Sequence, residues 1–223
     1  MKNRIRRLME QSQMSVQLRE TVFEEILHGV EVSNLARMLG EEMGQSREVC
    51  EKLEIAGVLH DIGKLKLTKY LYDEDGLMVE QMKYVRQHTF WSYDIVRKAE
   101  LGDDIAWAVY YHHENFDGSG YPDNLRGGDI PLMARILRVC DVFMALITNR
   151  SYRKAFDPKT ALEIMIDEVA DYDMQVFLAF QRVIHREHLI DYADDVFREV
   201  QSQRQIETLC LFEKELELLL SET

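Results

Sequence analysis

Apolar residues along the chain recur at intervals of three and four, and no stretch shows the alternation of apolar and polar positions that is typical of strands. This period predicts a helix from about Val16 to Met43, which ends near Gly44. A second helix is predicted after Ser46, a favourable N-cap residue. Its apolar face leads to His60, which we therefore expect to be buried at the helix C-terminus.

The same period predicts further helices over Leu77 to Lys98, Asp103 to His113, from Pro131 onward, from Asp157-Pro158 onward, and from about Asp173 to Leu220. The segment from Glu114 to Ile130 is instead rich in Gly, Asp and Asn. It is long for a connection in a compact domain, and such loops are usually functional or disordered. The pattern predicts an all-α fold, a helical bundle with one long glycine-rich loop and an extra C-terminal helical segment.

Residues 187–223 have apolar positions on one stripe of a predicted amphipathic helix. The stripe packs either on the chain's own domain or on a second copy of the chain, and the sequence does not decide between them. We therefore divide the chain into a helical lead-in over residues 1–20, a main domain over residues 21–185, and a C-terminal amphipathic helix over residues 186–223 that is a candidate dimerisation element.

Composition narrows the class of ligand. The chain has 223 residues, of which 46% are hydrophobic, and a formal net charge of -13. This charge repels polymeric nucleic acid and anionic membranes, so neither is an expected partner, whereas a small phosphorylated ligand is compatible with it. The three cysteines are scattered along the chain, and we expect them to be reduced thiols. No signal peptide and no apolar run of the roughly 18 residues that a membrane span needs are seen, so we expect a cytoplasmic protein.

Imidazoles and carboxylates are concentrated in three places in the sequence. The first is His60-Asp61-Ile62-Gly63-Lys64, the second runs from His112 to Pro122, and the third is Asp141. Neutral imidazole and carboxylate are ligands that iron, manganese and zinc accept. Two such metals held close together activate water and stabilise an in-line displacement at phosphorus. The sequence therefore predicts a metal-dependent phosphoester site.

Spacing indicates how these residues cooperate. Glu24 and His28 are four residues apart, so they share a helix face and can hold one ion together. His60 and Asp61 are adjacent at a helix end, where Asp61 can bridge ions that His60 binds terminally. Read singly, a histidine such as His60 or His88 is more often an ordinary buried or capping residue.

The remaining candidates follow the same logic. On a helix, His112 and His113 point about 100° apart and can serve neighbouring positions. Asp141 lies in a strongly apolar run, and a buried carboxylate needs a metal, a cation or a hydrogen-bonded turn.

The glycine-rich loop and the segment after Asp141 offer groups for a substrate. The loop glycines permit unusual backbone angles, and Tyr121-Pro122 adds a flat ring that suits a planar base or a phosphate. The alternative is a structural loop whose tyrosine packs inward. Arg150 and Arg153 belong to a cationic group that suits phosphate, or that simply forms a solvated helix terminus.

Taken together, these motifs resemble the HD-GYP domain. The resemblance rests on His60-Asp61-Ile62-Gly63-Lys64, on the His-His-Glu-x-x-Asp-Gly-Ser-Gly-Tyr-Pro stretch from His112, and on Val139-Cys140-Asp141-Val142-Phe143. HD-GYP proteins are bacterial metal-dependent phosphohydrolases that degrade cyclic di-GMP. The resemblance implies an all-helical fold with two or three divalent metal ions, iron or manganese. A metal-bridging hydroxide then opens the cyclic dinucleotide to linear pGpG, and in many members on to GMP.

The resemblance also implies roles for individual residues. Asp61 and Lys64 match catalytic positions, with Lys64 near the scissile phosphate. The implied metal ligands are Glu24, His28, His60, Asp61, His88, His112, His113 and Asp141, of which Glu24 is associated with a third ion. The implied substrate-binding residues are Lys64, Gly120, Tyr121, Arg150 and Arg153.

The chain departs from the family pattern at a few positions. Met144 stands where the family usually has an aspartate, Ser92 and Asn124 stand at common glycine positions, and Ser151 replaces a proline. None of these changes removes an implied metal ligand, so we expect a cyclic di-GMP phosphodiesterase. The alternatives are a hydrolase of a related cyclic dinucleotide such as cyclic GMP-AMP, a catalytically weak sensor that signals through its C-terminal helix to a partner protein, and a mononucleotide phosphohydrolase.

Overall fold

The computed structural model describes residues 15–67, 84–149, 154–186 and 199–221, which form eight α-helices and no strand. The helices are α1 (Val16–Glu42), α2 (Arg47–Leu59), α3 (His88–Lys98), α4 (Asp103–Tyr110), α5 (Leu132–Ile147), α6 (Pro158–Asp167), α7 (Met174–Arg186) and α8 (Gln203–Ser221). The all-α prediction is confirmed. None of the described helices combines the length and hydropathy needed to cross a bilayer.

Several helix ends follow the sequence signals. The Ser46 hydroxyl accepts a hydrogen bond from the Val49 N–H at 3.3 Å at the start of α2. After α1, Gly44 adopts φ +68°, the left-handed conformation that glycine provides at helix ends. Asp157 caps α6 by accepting the Thr160 N–H at 3.0 Å. The predicted starts of α2 and α6 and the end of α1 are confirmed.

Two predicted helices differ from the structure. The helix predicted over Asp103 to His113 ends at Tyr110, and His112 and His113 follow in a turn that the Glu114 N–H closes on the Tyr111 carbonyl at 2.9 Å. The helix predicted over Leu77 to Lys98 lies partly outside the described residues. Its described part contains a turn at residues 86–87, and α3 begins at His88.

The hydrophobic core surrounds α1, which packs against α2, α5 and α7. Leu35, Leu59, Phe143 and Phe180 contribute one fully buried side chain each from these four helices. The rings of Phe143 and Phe180 meet edge to face, with their centroids 5.0 Å apart. Burial of each such side chain contributes about 1.5–3 kcal/mol, so the core fixes how the four helices are placed relative to one another.

α1 and α2 approach so closely that their backbones touch at two glycines. A β-carbon at Gly29 would lie 2.6 Å from the Val58 carbonyl oxygen, and one at Gly57 would lie 2.5 Å from the Ser33 Cα. No real β-carbon tolerates these distances. Because His28 precedes Gly29 and His60 closes α2, this contact brings the two histidines together.

α8 packs on α2 and on the 3-10 turn Ile62–Leu67 of its own chain. The Gln205 side chain is fully buried, and its amide donates to the Ser33 hydroxyl at 2.9 Å and to the Asn34 side-chain Oδ1 at 2.7 Å. Asn34 in turn donates to the Glu199 carbonyl at 2.9 Å. In the described residues, the apolar stripe of α8 therefore packs on the chain's own domain. A role in dimerisation stays a prediction.

We expect Gly57→Ala to lower the free energy of unfolding by about 1–3 kcal/mol, because the added methyl group forces α1 and α2 apart. Chemical denaturation followed by circular dichroism measures this change. Gly128→Ala is the matched control, since a β-carbon there meets no atom within 4 Å. It should change the stability by less than about 0.5 kcal/mol. Equal stability of the two variants would contradict the close-contact account.

Candidate metal centre

Five histidines and two aspartates converge where α1, α2, α3 and α5 meet the turn after α4. They are His28, His60, Asp61, His88, His112, His113 and Asp141. All except the half-buried His113 are buried. The cluster is surrounded by the hydrophobic core, and each of its residues lies at a helix end or on the inward face of a helix. The structure thus brings together seven of the eight residues proposed as metal ligands.

The ligand atoms form two groups that share Asp61. The first comprises Asp61, His88, His112 and His113, and the second comprises His28, His60, Asp61 and Asp141; within each group the atoms lie within 4.8 Å of one another. Because Asp61 belongs to both groups, its carboxylate is placed to bridge two neighbouring cation sites. His112 and His113 fall in the same group, with ring centroids 4.0 Å apart, rather than in neighbouring ones. Their position in a turn instead of a helix explains this difference.

Three of the histidines are held by the same backbone contact. The Nδ1 atoms of His60, His88 and His112 lie 2.8, 2.6 and 2.7 Å from the carbonyl oxygens of the residues three positions earlier. A carbonyl oxygen only accepts, so each Nδ1 carries a hydrogen. In the neutral imidazole Nε2 then presents its lone pair to the cluster, the tautomer that metal-binding histidines use.

The free nitrogens face the carboxylates directly. Nε2 of His88 lies 3.1 Å from Asp61 Oδ1, and Nε2 of His60 lies 3.1 Å from Asp61 Oδ2. Nε2 of His28 lies 2.9 Å from Asp141 Oδ1. Within the described residues the contacts of His60 Nε2 and Asp61 Oδ1, both buried, do not have hydrogen-bond geometry. Buried, inward-facing acceptors of this kind fit a divalent cation, which would be held by nitrogen and carboxylate oxygen together.

Electrostatics of the cluster also favour a bound cation. Burial opposes protonation of His60, but the charges of Asp61 and Asp141 outweigh it and raise its pKa to about 10. Burial and the nearby His60 and His88 lower the pKa of His112 to about 3. The two carboxylates therefore attract positive charge to His60, while His112 stays in the neutral form that binds metal.

Lys64 joins the cluster from the 3-10 turn. Its ammonium donates to Asp61 Oδ2 at 2.7 Å and to Glu25 Oε2 at 3.0 Å. Burial lowers the pKa of Lys64, but the charges of Asp61 and Glu25 outweigh it and raise that pKa above its ordinary value. Lys64 therefore keeps its proton, which suits stabilisation of negative charge better than donation of a proton to a leaving group.

Sequence reasoning selected Glu24 and missed Glu25. Glu24 is exposed and belongs to neither ligand group, whereas Glu25 reaches the site through Lys64. The two residues are adjacent on α1 and chemically alike, so only the orientation of the helix separates them. The role of Glu24 as a ligand of a third ion stays a prediction.

The glycine-rich loop supports the turn that carries His113. A β-carbon at Gly120 would lie 2.2 Å from the Asn115 backbone nitrogen, so the loop backbone packs directly on this turn. The Tyr121 N–H donates to the His113 carbonyl at 3.1 Å, and its ring stacks on the His113 imidazole with centroids 4.7 Å apart. Gly120 and Tyr121 thus hold a candidate ligand in place. Their contact with substrate stays a prediction.

The described residues include three of the positions that depart from the family pattern, Ser92, Asn124 and Met144. The Ser92 hydroxyl accepts the Gly63 N–H at 2.9 Å and so ties α3 to the turn after Asp61. Asn124 adopts φ +57°, a conformation that asparagine tolerates. Met144 is buried in the hydrophobic core. Arg150, Ser151 and Arg153 lie outside the described residues.

Comparison with known proteins agrees with this site. The family model described as "HD domain" matches residues 3–176 of the chain. The response regulator RpfG of Xanthomonas campestris pv. campestris, named a cyclic di-GMP phosphodiesterase, is 37% identical over 137 residues, which are 59% of this chain and 35% of RpfG. The 3'3'-cGAMP-specific phosphodiesterase 1 of Vibrio cholerae is 34% identical over 154 residues, 67% of this chain and 36% of that protein. The chain thus spans about a third of the length of these two curated relatives.

Solved structures show the same fold. A cyclic GMP-AMP-specific phosphodiesterase of Vibrio cholerae, V-cGAP3, superposes with a TM-score of 0.60 at 14% identity, covering 86% of this chain and 55% of the other. Bd1817 of Bdellovibrio bacteriovorus, titled an HDG"Y"P protein, gives 0.58 at 23% identity, covering 71% of this chain and 51% of that one. The chain therefore belongs to the HD domain family, and the recognition made from its motifs is confirmed.

Proposed function

We propose that the chain is a metal-dependent phosphodiesterase that hydrolyses cyclic di-GMP to linear pGpG and on to GMP. The observation that carries the proposal is the pair of ligand groups joined by Asp61. Paired divalent cations, when bound, polarise the phosphoryl oxygens and activate the attacking water. We propose iron or manganese, because both accept histidine and carboxylate together. A third ion would require Glu24.

The chain's own residues would supply orientation and charge. Asp61 and Asp141 provide the negative charge that holds the cations, and the backbone carbonyls behind His60, His88 and His112 fix the imidazoles. Lys64 keeps a positive charge beside Asp61, where it would stabilise charge that develops on the phosphoryl oxygens in the transition state. The deep burial of the ligands limits access of bulk water, which strengthens each of these interactions.

A related cyclic dinucleotide is the second candidate substrate. A relative named for cyclic di-GMP is 37% identical to this chain and one named for 3'3'-cGAMP is 34% identical, so sequence identity does not decide between the two substrates. The two substrates differ in one base, whereas the metal centre would act on a phosphodiester group, which both contain. Parallel measurement of kcat/KM for both substrates on the metal-loaded chain decides between them.

We expect Asp61→Ala to abolish hydrolysis, because both ligand groups lose their shared member. Bound metal supplies several kcal/mol of transition-state stabilisation, so the rate should fall at least about a thousandfold. Anaerobic purification, metal analysis and chromatography of the products of cyclic di-GMP test this. Asp104→Ala, an exposed position on α4, is the control and should retain full activity. Unchanged turnover in Asp61→Ala would refute the proposed site.

Metal removal should destabilise the fold as well as stop turnover. A ligand that binds only the folded state stabilises it by about 2.7 kcal/mol at a hundredfold excess over Kd. For a chain of this size that corresponds to a change in Tm of roughly 5–10 °C. Scanning calorimetry of the chelated protein, before and after addition of Mn²⁺, measures the change. Identical transitions in the two states would show that the cluster does not bind this ion in the folded protein.

Lys64→Met should lower kcat by roughly a hundredfold to a thousandfold, with the metal content retained, because a positive charge near the reacting phosphoryl group is lost. Lys66→Met is the matched control, since Lys66 lies on the same turn but pairs with Glu215 on α8. The control should keep kcat within about threefold. A similar loss in both variants would indicate a general effect on the turn and argue against a specific role of Lys64.

A further inference from the structure

Arg86 is connected to the metal ligands through the ring of Tyr121. It lies in the turn before α3, and its side chain is exposed. The guanidinium carbon sits 4.8 Å from the centre of the Tyr121 ring. That ring stacks on His113 with centroids 4.7 Å apart and an interplanar angle of 24°. His113 belongs to the first ligand group, so this series of contacts ends at the candidate metal centre.

The cation of Arg86 is available to an anion. Three described cations around the site have carboxylate partners: Lys64 with Asp61 and Glu25, Arg135 with Asp173, and Arg138 with Asp171. Arg86 has no carboxylate within ion-pair distance among the described residues, and its guanidinium lies over the Tyr121 ring. In a chain of net charge -13, an exposed guanidinium beside such a site that has no carboxylate partner among the described residues points to an anionic ligand.

The stack also prepares the guanidinium for binding. A tyrosine face attracts the cation and limits the motion of a long side chain. The planar group then keeps an edge of N–H donors free, which matches two oxygens of a phosphate in a bidentate contact. Arginine is better suited to this arrangement than lysine, whose ammonium neither stacks as a plane nor binds in a forked geometry.

We propose that Arg86 binds the phosphodiester of the cyclic dinucleotide that is not being hydrolysed. This inference rests on the proposed function. A cyclic dinucleotide contains two phosphodiester groups, and the one under attack must lie at the ligands around Asp61. Arg86 contacts the Tyr121 ring, and that ring stacks on the ligand His113, so Arg86 lies one ring outside the ligands and is placed to hold the second group and thereby orient the first.

The test compares Arg86→Gln with the wild-type chain on two substrates. With cyclic di-GMP, KM should rise about tenfold to a hundredfold, the effect of losing one charge-assisted hydrogen bond, while kcat stays within about threefold. With bis(p-nitrophenyl) phosphate, which has a single phosphodiester group, KM should not change. Arg86→Lys should give an intermediate KM for cyclic di-GMP. Arg97→Gln, an arginine on α3 that pairs with Asp103, is the matched control and should behave as wild type.

The possible outcomes separate this inference from the proposed function. If the wild type hydrolyses cyclic di-GMP and Arg86→Gln leaves KM unchanged, the inference is overturned and the activity stands. A rise in KM for both substrates also overturns it, because Arg86 would then serve the scissile group or the site as a whole. If the wild type hydrolyses nothing, the proposed function fails. Calorimetric titration with cyclic di-GMP then decides: weaker binding by Arg86→Gln supports the inference, and equal or absent binding refutes it.

Discussion

Two buried carboxylates facing imidazole nitrogens impose the main constraint on this structure. Asp61 and Asp141 lie within a cluster of histidines in the hydrophobic interior, where uncompensated charge is costly. A divalent cation bound by the cluster would relieve this cost. The backbone contact of α1 with α2 at Gly29 and Gly57 places His28 beside His60, and the Nδ1 hydrogen bonds turn the imidazoles inward.

Contacts outside the ligand set hold the elements that carry the ligands in place. Ser92 ties α3 to the turn after Asp61, and Gly120 lets the glycine-rich loop press against the turn that carries His113. Tyr121 then stacks on His113 and meets Arg86 at the surface. A loop that reads as a substrate-binding element in the sequence thus also has a structural role. The two alternatives for Tyr121, inward packing and ligand contact, are therefore compatible.

Sequence patterns predicted the fold class and the convergence of the histidines because both depend on local rules. The cap at Ser46 and the apolar face leading to His60 are local signals, and the motif order identified the family. The end of α4 was missed because apolar periodicity continues to His112, while hydrogen bonds in the following turn end the helix. Glu25 and Arg86 were missed because their partners, Lys64 and Tyr121, are distant in sequence. Only tertiary packing brings these groups together.

We propose that two metal ions share Asp61. Anomalous diffraction from crystals of the manganese-loaded protein, recorded on both sides of the manganese absorption edge, tests it most directly. We expect two anomalous peaks flanking the Asp61 carboxylate, one near His88, His112 and His113 and the other near His28, His60 and Asp141. A single peak away from Asp61, or none at full manganese occupancy in solution, would refute a shared Asp61.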